Sequence, residues 1–217
     1  MGENNFYSKY GKRIFDFTVA FFALILFSPL LFITACLVRL RLGSPVIFRQ
    51  ERLGLKENPF VIMKFRTMTD AKDENGNMLP DAERLTRFGA LLRRASIDEL
   101  PELINVLKGD MSIVGPRPLF MHYLPYYTER ERLRHTVRPG ITGLSQVSGR
   151  NYLPWDERLE TDVQYVEKMS FLMDLQIMLK TIVRVLNTKD VAVLPGTVSV
   201  QFSQHRAKYK NADKKEE

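Results

Sequence analysis

The 217-residue chain has one cysteine, Cys36, and three scattered histidines. A lone thiol cannot form an internal disulfide, and it agrees with a reducing cytoplasm. The same scarcity argues against a zinc site, which takes about four nitrogen, sulfur or carboxylate ligands. No GxxxxGK[ST] and no strand-linked GxGxxG occurs, so neither a P-loop nor a dinucleotide-binding turn is available. The acidic stretch 70–81 lacks the spacing and closing glutamate of a calcium loop. It reads as a polar loop with turn signals. No internal repeat is seen.

Positive charge is in excess. Lys and Arg number 32 against 25 Asp and Glu, a formal net charge of +7. That suits an anionic partner such as phosphate, acidic lipid or nucleic acid, without choosing among them. With 45% hydrophobic and 26% charged residues, the chain is neither disordered nor polytopic. Three segments follow: 1–42 in the membrane, a catalytic body at 43–195, and a basic tail at 196–217. The tail lacks helical periodicity and is expected to be flexible and solvated.

Residues 17–38, FTVAFFALILFSPLLFITACLV, carry no charge. Their number matches the roughly 20 residues that cross a bilayer as a helix. A secretory signal fits poorly, because the run is long and Arg39 and Arg41 follow it instead of a cleavage site. Two readings remain. One is a straight span. The other is a helix that bends at Ser28-Pro29 and returns to the same face. Proline removes a backbone donor, and the Ser28 hydroxyl can bond a nearby carbonyl and support a bend. Lys9, Lys12 and Arg13 precede the run, and Arg39, Arg41, Arg49 and Arg52 follow it. Positive charge favours the cytoplasmic side, so a returning helix satisfies both flanks and a straight one only one. Asp16 reads as structural, a partner for Lys12, Arg13 or exposed N–H groups.

Beyond Gly43, PVIFRQERLG and NPFVIMKFRTM flank the turn-rich GLKEN and predict a β-hairpin. Lys64 and Arg66 alternate on the second arm and would share one strand face, as a solvated surface or a phosphate site. A helix is expected over 83–107, with a break near Pro101. Asp98 and Glu99 would then point about 100° apart, and Arg94 would sit one turn before Asp98 as an ordinary surface pair. In GDMSIVGPRPL, Pro116 and Pro118 stiffen the backbone around Arg117, whose guanidinium suits bidentate phosphate contact. RHTVRPGITGLSQVSGRN sets Arg134, Arg138 and Arg150 among glycines and small hydroxyl residues. A last helical stretch, 155–186, is amphipathic, and its apolar residues are expected chiefly in the core.

Taken together, KRIFDF, the SP-interrupted apolar run, KFRTM, SIDELPEL with LKGDMS and VGPRP, and RPGITG with GRN resemble the bacterial sugar transferases. The likeness is to the small monotopic phosphoglycosyl transferases and covers about residues 12–186. Initiators of N-glycan, capsule and exopolysaccharide assembly all look similar. Larger relatives add membrane helices and a further domain that this chain is not expected to carry.

The resemblance implies a mostly α fold with a small β-hairpin, a re-entrant N-terminal helix hairpin and interfacial helices. It implies a monotopic enzyme at the cytoplasmic face of the bacterial inner membrane. The substrates would be a UDP-sugar and polyprenyl (undecaprenyl) phosphate, with Mg²⁺ as cofactor and UMP as product. Asp98 matches the family's nucleophile, which would carry a phospho-sugar between two steps. Glu99 is its partner, and both are candidate magnesium ligands. Lys64, Arg66, Arg93, Arg117 and Arg150 are candidates for binding phosphate, and such cations are expected to keep Asp98 ionised. Nucleic acid is not an expected partner, because the arginines cluster with glycine, proline and the Asp-Glu pair instead of forming a basic stripe with aromatics. A phosphatase of polyprenyl diphosphate is the rival enzyme; it would not need a UDP-sugar.

Overall fold

A computed structural model describes residues 6–149, 153–186 and 202–206. A π-helical turn, Tyr7–Gly11, leads into α1, Lys12–Leu42. Among the described residues, α1 is the one helix long and apolar enough to cross a membrane. It buries only Lys12, Asp16, Ala20, Thr34 and Val38, and residues 25–30 are exposed without exception. The helix runs on through Pro29, so two separate helices are not what is seen. The local reason is a substitution of donors. Proline cannot donate to the carbonyl four residues back, that of Ile25. The Ser28 hydroxyl donates to that same oxygen at 2.8 Å.

The expected hairpin is present. β1, Ile47–Leu53, pairs antiparallel with β2, Pro59–Phe65, in a register from Ile47 opposite Phe65 to Leu53 opposite Pro59. The single helix expected over 83–107 is divided instead. It becomes α2 (Asp81–Arg84), α3 (Arg87–Arg94), a 3₁₀ turn at Ile97–Glu99 and α4 (Glu102–Lys108). Ser96 at φ 55 stops α3 before Asp98 is reached. Pro101 then caps α4, a position where its missing N–H costs little. β3, Ser112–Val114, pairs parallel with β4, Gly140–Thr142. The short α5 (Glu129–Arg132) and α6 (Leu144–Ser148) precede α7 (Trp155–Lys168) and α8 (Phe171–Leu186).

Three apolar clusters hold these pieces together. The first joins Ile62, Leu103, Val106 and Val114 to Tyr165 and Ile177, with Ala20 of α1. The second gathers Leu53, Leu119, Tyr123, Tyr127, Trp155 and Leu159. The third sets Val38 of α1 against Phe65 and Leu92. Both halves of α1 therefore dock on the body while its middle stands clear.

Buried polar contacts fix the first half. Asp174 of α8 accepts from Lys12 Nζ and from the Tyr7 hydroxyl, each at 2.6 Å, and from the Tyr165 hydroxyl at 2.7 Å. Asp16 accepts from Ser112 Oγ at 2.7 Å and from the Ile113 N–H at 3.1 Å, closer than its 3.8 Å approach to Lys12.

Two expectations are corrected here. Phe171, Leu175 and Ile182 do not enter the core; with Leu172, Leu179, Val183 and Leu186 they leave α8 with an exposed apolar face. The stretch from 196 is not solvated throughout. Residues 202–206 are helical, and Phe202 is fully buried against Tyr123, Tyr127 and Trp155. Arg206 pairs with Glu131. The rest of that stretch lies outside the described residues.

Candidate active site

The centre lies where three stiff segments meet. The 3₁₀ turn brings Asp98 and Glu99 to the start of α4, the end of β2 contributes Lys64, and the loop after β3 contributes Arg117. Close backbone packing builds that loop: a Cβ on Gly115 would fall 2.5 Å from the Arg138 carbonyl oxygen. Glycine is thus required for β3 and β4 to approach. The Arg117 carbonyl is fixed by Arg134, which donates to it at 2.7 Å and is itself paired with buried Asp162 at 2.8 Å.

Charges alternate across the site. Lys64 Nζ lies 2.6 Å from Glu99 Oε1 and 3.0 Å from Glu102 Oε1, and Arg117 donates to the same Glu99 oxygen at 3.0 Å. Glu99 is thereby locked between two cations. Burial disfavours its charge, but Arg117 and Lys64 outweigh burial and hold its carboxyl down at about 2. Asp98 differs. It is buried, and among the described residues it has no hydrogen bond or ion pair. Burial, reinforced by the negative Glu99, pushes it up to about 6 against the pull of Lys64, Arg93 and Arg117. Desolvation outweighs the cations at Asp98, so its carboxyl loses its proton only above about 6. Burial likewise pushes Glu102 up to about 7.

The other expected site residues fare unequally. Arg93 donates from Nε to Thr67 Oγ1 at 3.0 Å, and its charge still reaches Asp98. Arg66 is committed elsewhere: it donates to the Ser44 and Met68 carbonyls, each at 2.9 Å, and pairs with Asp70 at 2.6 Å. It braces the base of the hairpin and does not face the carboxylates. No pair between Arg94 and Asp98 forms. Arg150 lies outside the described residues. Among those described, no three carboxylates, histidines or cysteines could hold a metal ion together. Glu102 was missed in the sequence. Its signal was there, one helical turn after Asp98 in SIDELPEL, but only the fold shows that it shares Lys64.

A family model for bacterial sugar transferases matches residues 7–188. The chain belongs to the bacterial sugar transferase family. It is 53% identical over 192 residues to the uncharacterized sugar transferase EpsL of Bacillus subtilis, covering 88% of this chain and 95% of that one. It is 41% identical to the UDP-glucose:undecaprenyl-phosphate glucose-1-phosphate transferase of Caulobacter vibrioides, over 82% of this chain and 70% of that one. It is 40% identical to the UDP-N-acetylgalactosamine-undecaprenyl-phosphate N-acetylgalactosaminephosphotransferase of Aeromonas hydrophila, over 79% of this chain and 42% of that one. The match spans all three segments of the site and also α1, whose exposed apolar surface marks this sugar transferase as membrane-associated. Chemically, the site offers one unbonded carboxylate, poised to lose its proton near neutrality, beside cations that can neutralise a substrate's phosphates.

Proposed function

We propose that the chain moves a sugar-1-phosphate from a UDP-sugar to polyprenyl phosphate, in bacteria undecaprenyl phosphate, releasing UMP and starting the assembly of a glycoconjugate such as an exopolysaccharide. The observation that carries this reading is the contrast between Asp98, buried and unbonded, and Glu99, locked by Lys64 and Arg117. An ionised Asp98 oxygen attacks the β-phosphorus of the UDP-sugar. A bond from Asp98 to phosphorus forms, the bond to the bridging oxygen breaks, and UMP leaves with that electron pair. An oxygen of polyprenyl phosphate then attacks the same phosphorus and frees Asp98. Lys64 and Arg117 turn from Glu99 to the phosphate oxygens, where charge develops.

Mg²⁺ fits this site only in part. The carboxylates alone do not form a cage, but magnesium usually binds through one or two carboxylates plus substrate phosphates. Asp98 is open to it, and Glu99 is open once its cations turn away. Bound there, the ion would neutralise phosphate charge.

We read α1 as a wedge that enters and leaves the cytoplasmic face of the inner membrane, which makes the protein monotopic. The exposed stretch 25–30, the docking of both halves on one body and the basic residues at both ends support this. We assign the outward apolar face of α8 to the same membrane surface, as an interfacial helix. The deciding experiment omits the lipid. Incubation with a panel of UDP-sugars should yield UMP and an intact-mass adduct of one phospho-sugar on Asp98, and labelled UMP should exchange into the donor. Turnover with lipid but neither adduct nor exchange would establish direct attack by the lipid phosphate.

A further inference from the structure

Arg52, near the end of β1, has surroundings unusual for a cation. Its guanidinium lies 3.6 Å from the ring centroid of Phe120. One terminal nitrogen donates to Gln50 Oε1 at 2.6 Å, and Nε is buried with no hydrogen-bond partner. No carboxylate pairs with it among the described residues. Phe120 follows Arg117 by three residues, and the Leu53 N–H donates to the Leu119 carbonyl at 3.0 Å. One backbone bond therefore registers the strand carrying Arg52 against the loop carrying Arg117. The two charges feel each other: burial first, and Arg117 next, bring Arg52 down to about 10, and the more distant Glu102 carboxylate offsets this only in part.

A half-buried guanidinium with an orphaned donor, set beside a second arginine, is costly unless an anion arrives. The aromatic face holds its plane, and among the described residues the second terminal nitrogen, Nη1, has no hydrogen-bond partner and is left for a phosphate. We propose that Arg52 is a second phosphate-binding arginine, held flat by Phe120 so that it and Arg117 together grip phosphate oxygens of a substrate. The inference rests on the transfer reading above. Either the donor's diphosphate or the lipid phosphate presents such oxygens.

The test measures Arg52→Gln and Arg52→Lys in two assays, UMP exchange without lipid and full turnover with varied polyprenyl phosphate. For both variants the KM of the substrate held by Arg52 should rise about tenfold, while kcat stays within about threefold. A rise confined to the UDP-sugar assigns Arg52 to the donor, and one confined to the lipid assigns it to the acceptor. A third arm, calorimetric titration with inorganic pyrophosphate, does not depend on turnover, and affinity should fall about tenfold in Arg52→Gln. If wild type releases no UMP from any UDP-sugar, the transfer reading fails, and this titration alone decides Arg52. Arg52→Lys keeps the charge and stem, so it serves if Arg52→Gln does not fold. A folded variant with both KM values and pyrophosphate affinity within about twofold of wild type would make Arg52 a packing residue.

Discussion

At the scale of single residues, burial makes Asp98 and Glu99 unlike. On the proposed mechanism Asp98 must be ionised to attack, and it is pushed up to about 6. The kcat/KM should therefore fall as pH drops through about 6, and a pH profile in the absence of lipid would show it. Stability moves the opposite way. Between about 4, where an unfolded aspartate titrates, and about 6, the native state holds a proton that the unfolded chain has lost, so stability declines as pH rises through that window. Asp98→Asn should therefore abolish turnover and raise the melting temperature at neutral pH by about 2–4 °C, the effect of about 1 kcal/mol in a chain of this size. Arg117→Lys keeps a charge but loses the planar fork, and turnover should fall about a hundredfold; near-full activity would make Arg117 a surface residue. The Asp98-Glu99 pair and Arg117 were legible in SIDELPEL and GPRP. The raised Asp98 was not, because desolvation is a property of the assembled fold. Arg66 misled for a local reason. β2 ends at Phe65, so strand alternation no longer governs the side chain that follows.

At the scale of elements, the hairpin and the apolar helix were readable from period and turn residues, whereas the break before Asp98 was not. No proline or glycine marks it; it rests on one left-handed serine, Ser96. The proline-serine pair in α1 carries a sharper expectation. Pro29→Leu restores an N–H to the Ile25 carbonyl, so the Ser28 bond becomes redundant and a straight helix gains. Cysteine-accessibility labelling at position 5 and at the C-terminus should place both on the cytoplasmic side in the wild type. In Pro29→Leu, part of the population should label on opposite sides. Opposite sides in the wild type would establish a spanning helix.

At the scale of the whole molecule, α1 and α8 are clasped by Lys12, Tyr7 and Tyr165 around Asp174. Removing one partner of a buried pair strands the other, so Asp174→Asn should cost about 3–5 kcal/mol. Thermal unfolding in detergent would check this, and a loss under about 1 kcal/mol would mean that water already reaches Lys12. The Lys12 and Tyr7 contacts join residues more than 160 positions apart, and no local pattern announces them. Phe202 is similar: an aromatic in a polar stretch looks solvated until its packing against Tyr123, Tyr127 and Trp155 is known.

The carboxylate of Asp16 holds β3 by Ser112 and Ile113, and β3 leads directly into the loop of Arg117. If α1 sits in lipid and Arg117 meets phosphate, as proposed, the two are parts of one linked gauge. Such a gauge would set a height: the reactive centre would stand at a fixed level above the acyl chains, whatever the length of the molecule that arrives there. A polyprenyl phosphate should then be judged by where its headgroup floats, and shortening its tail should matter only once the tail no longer keeps that headgroup at the surface.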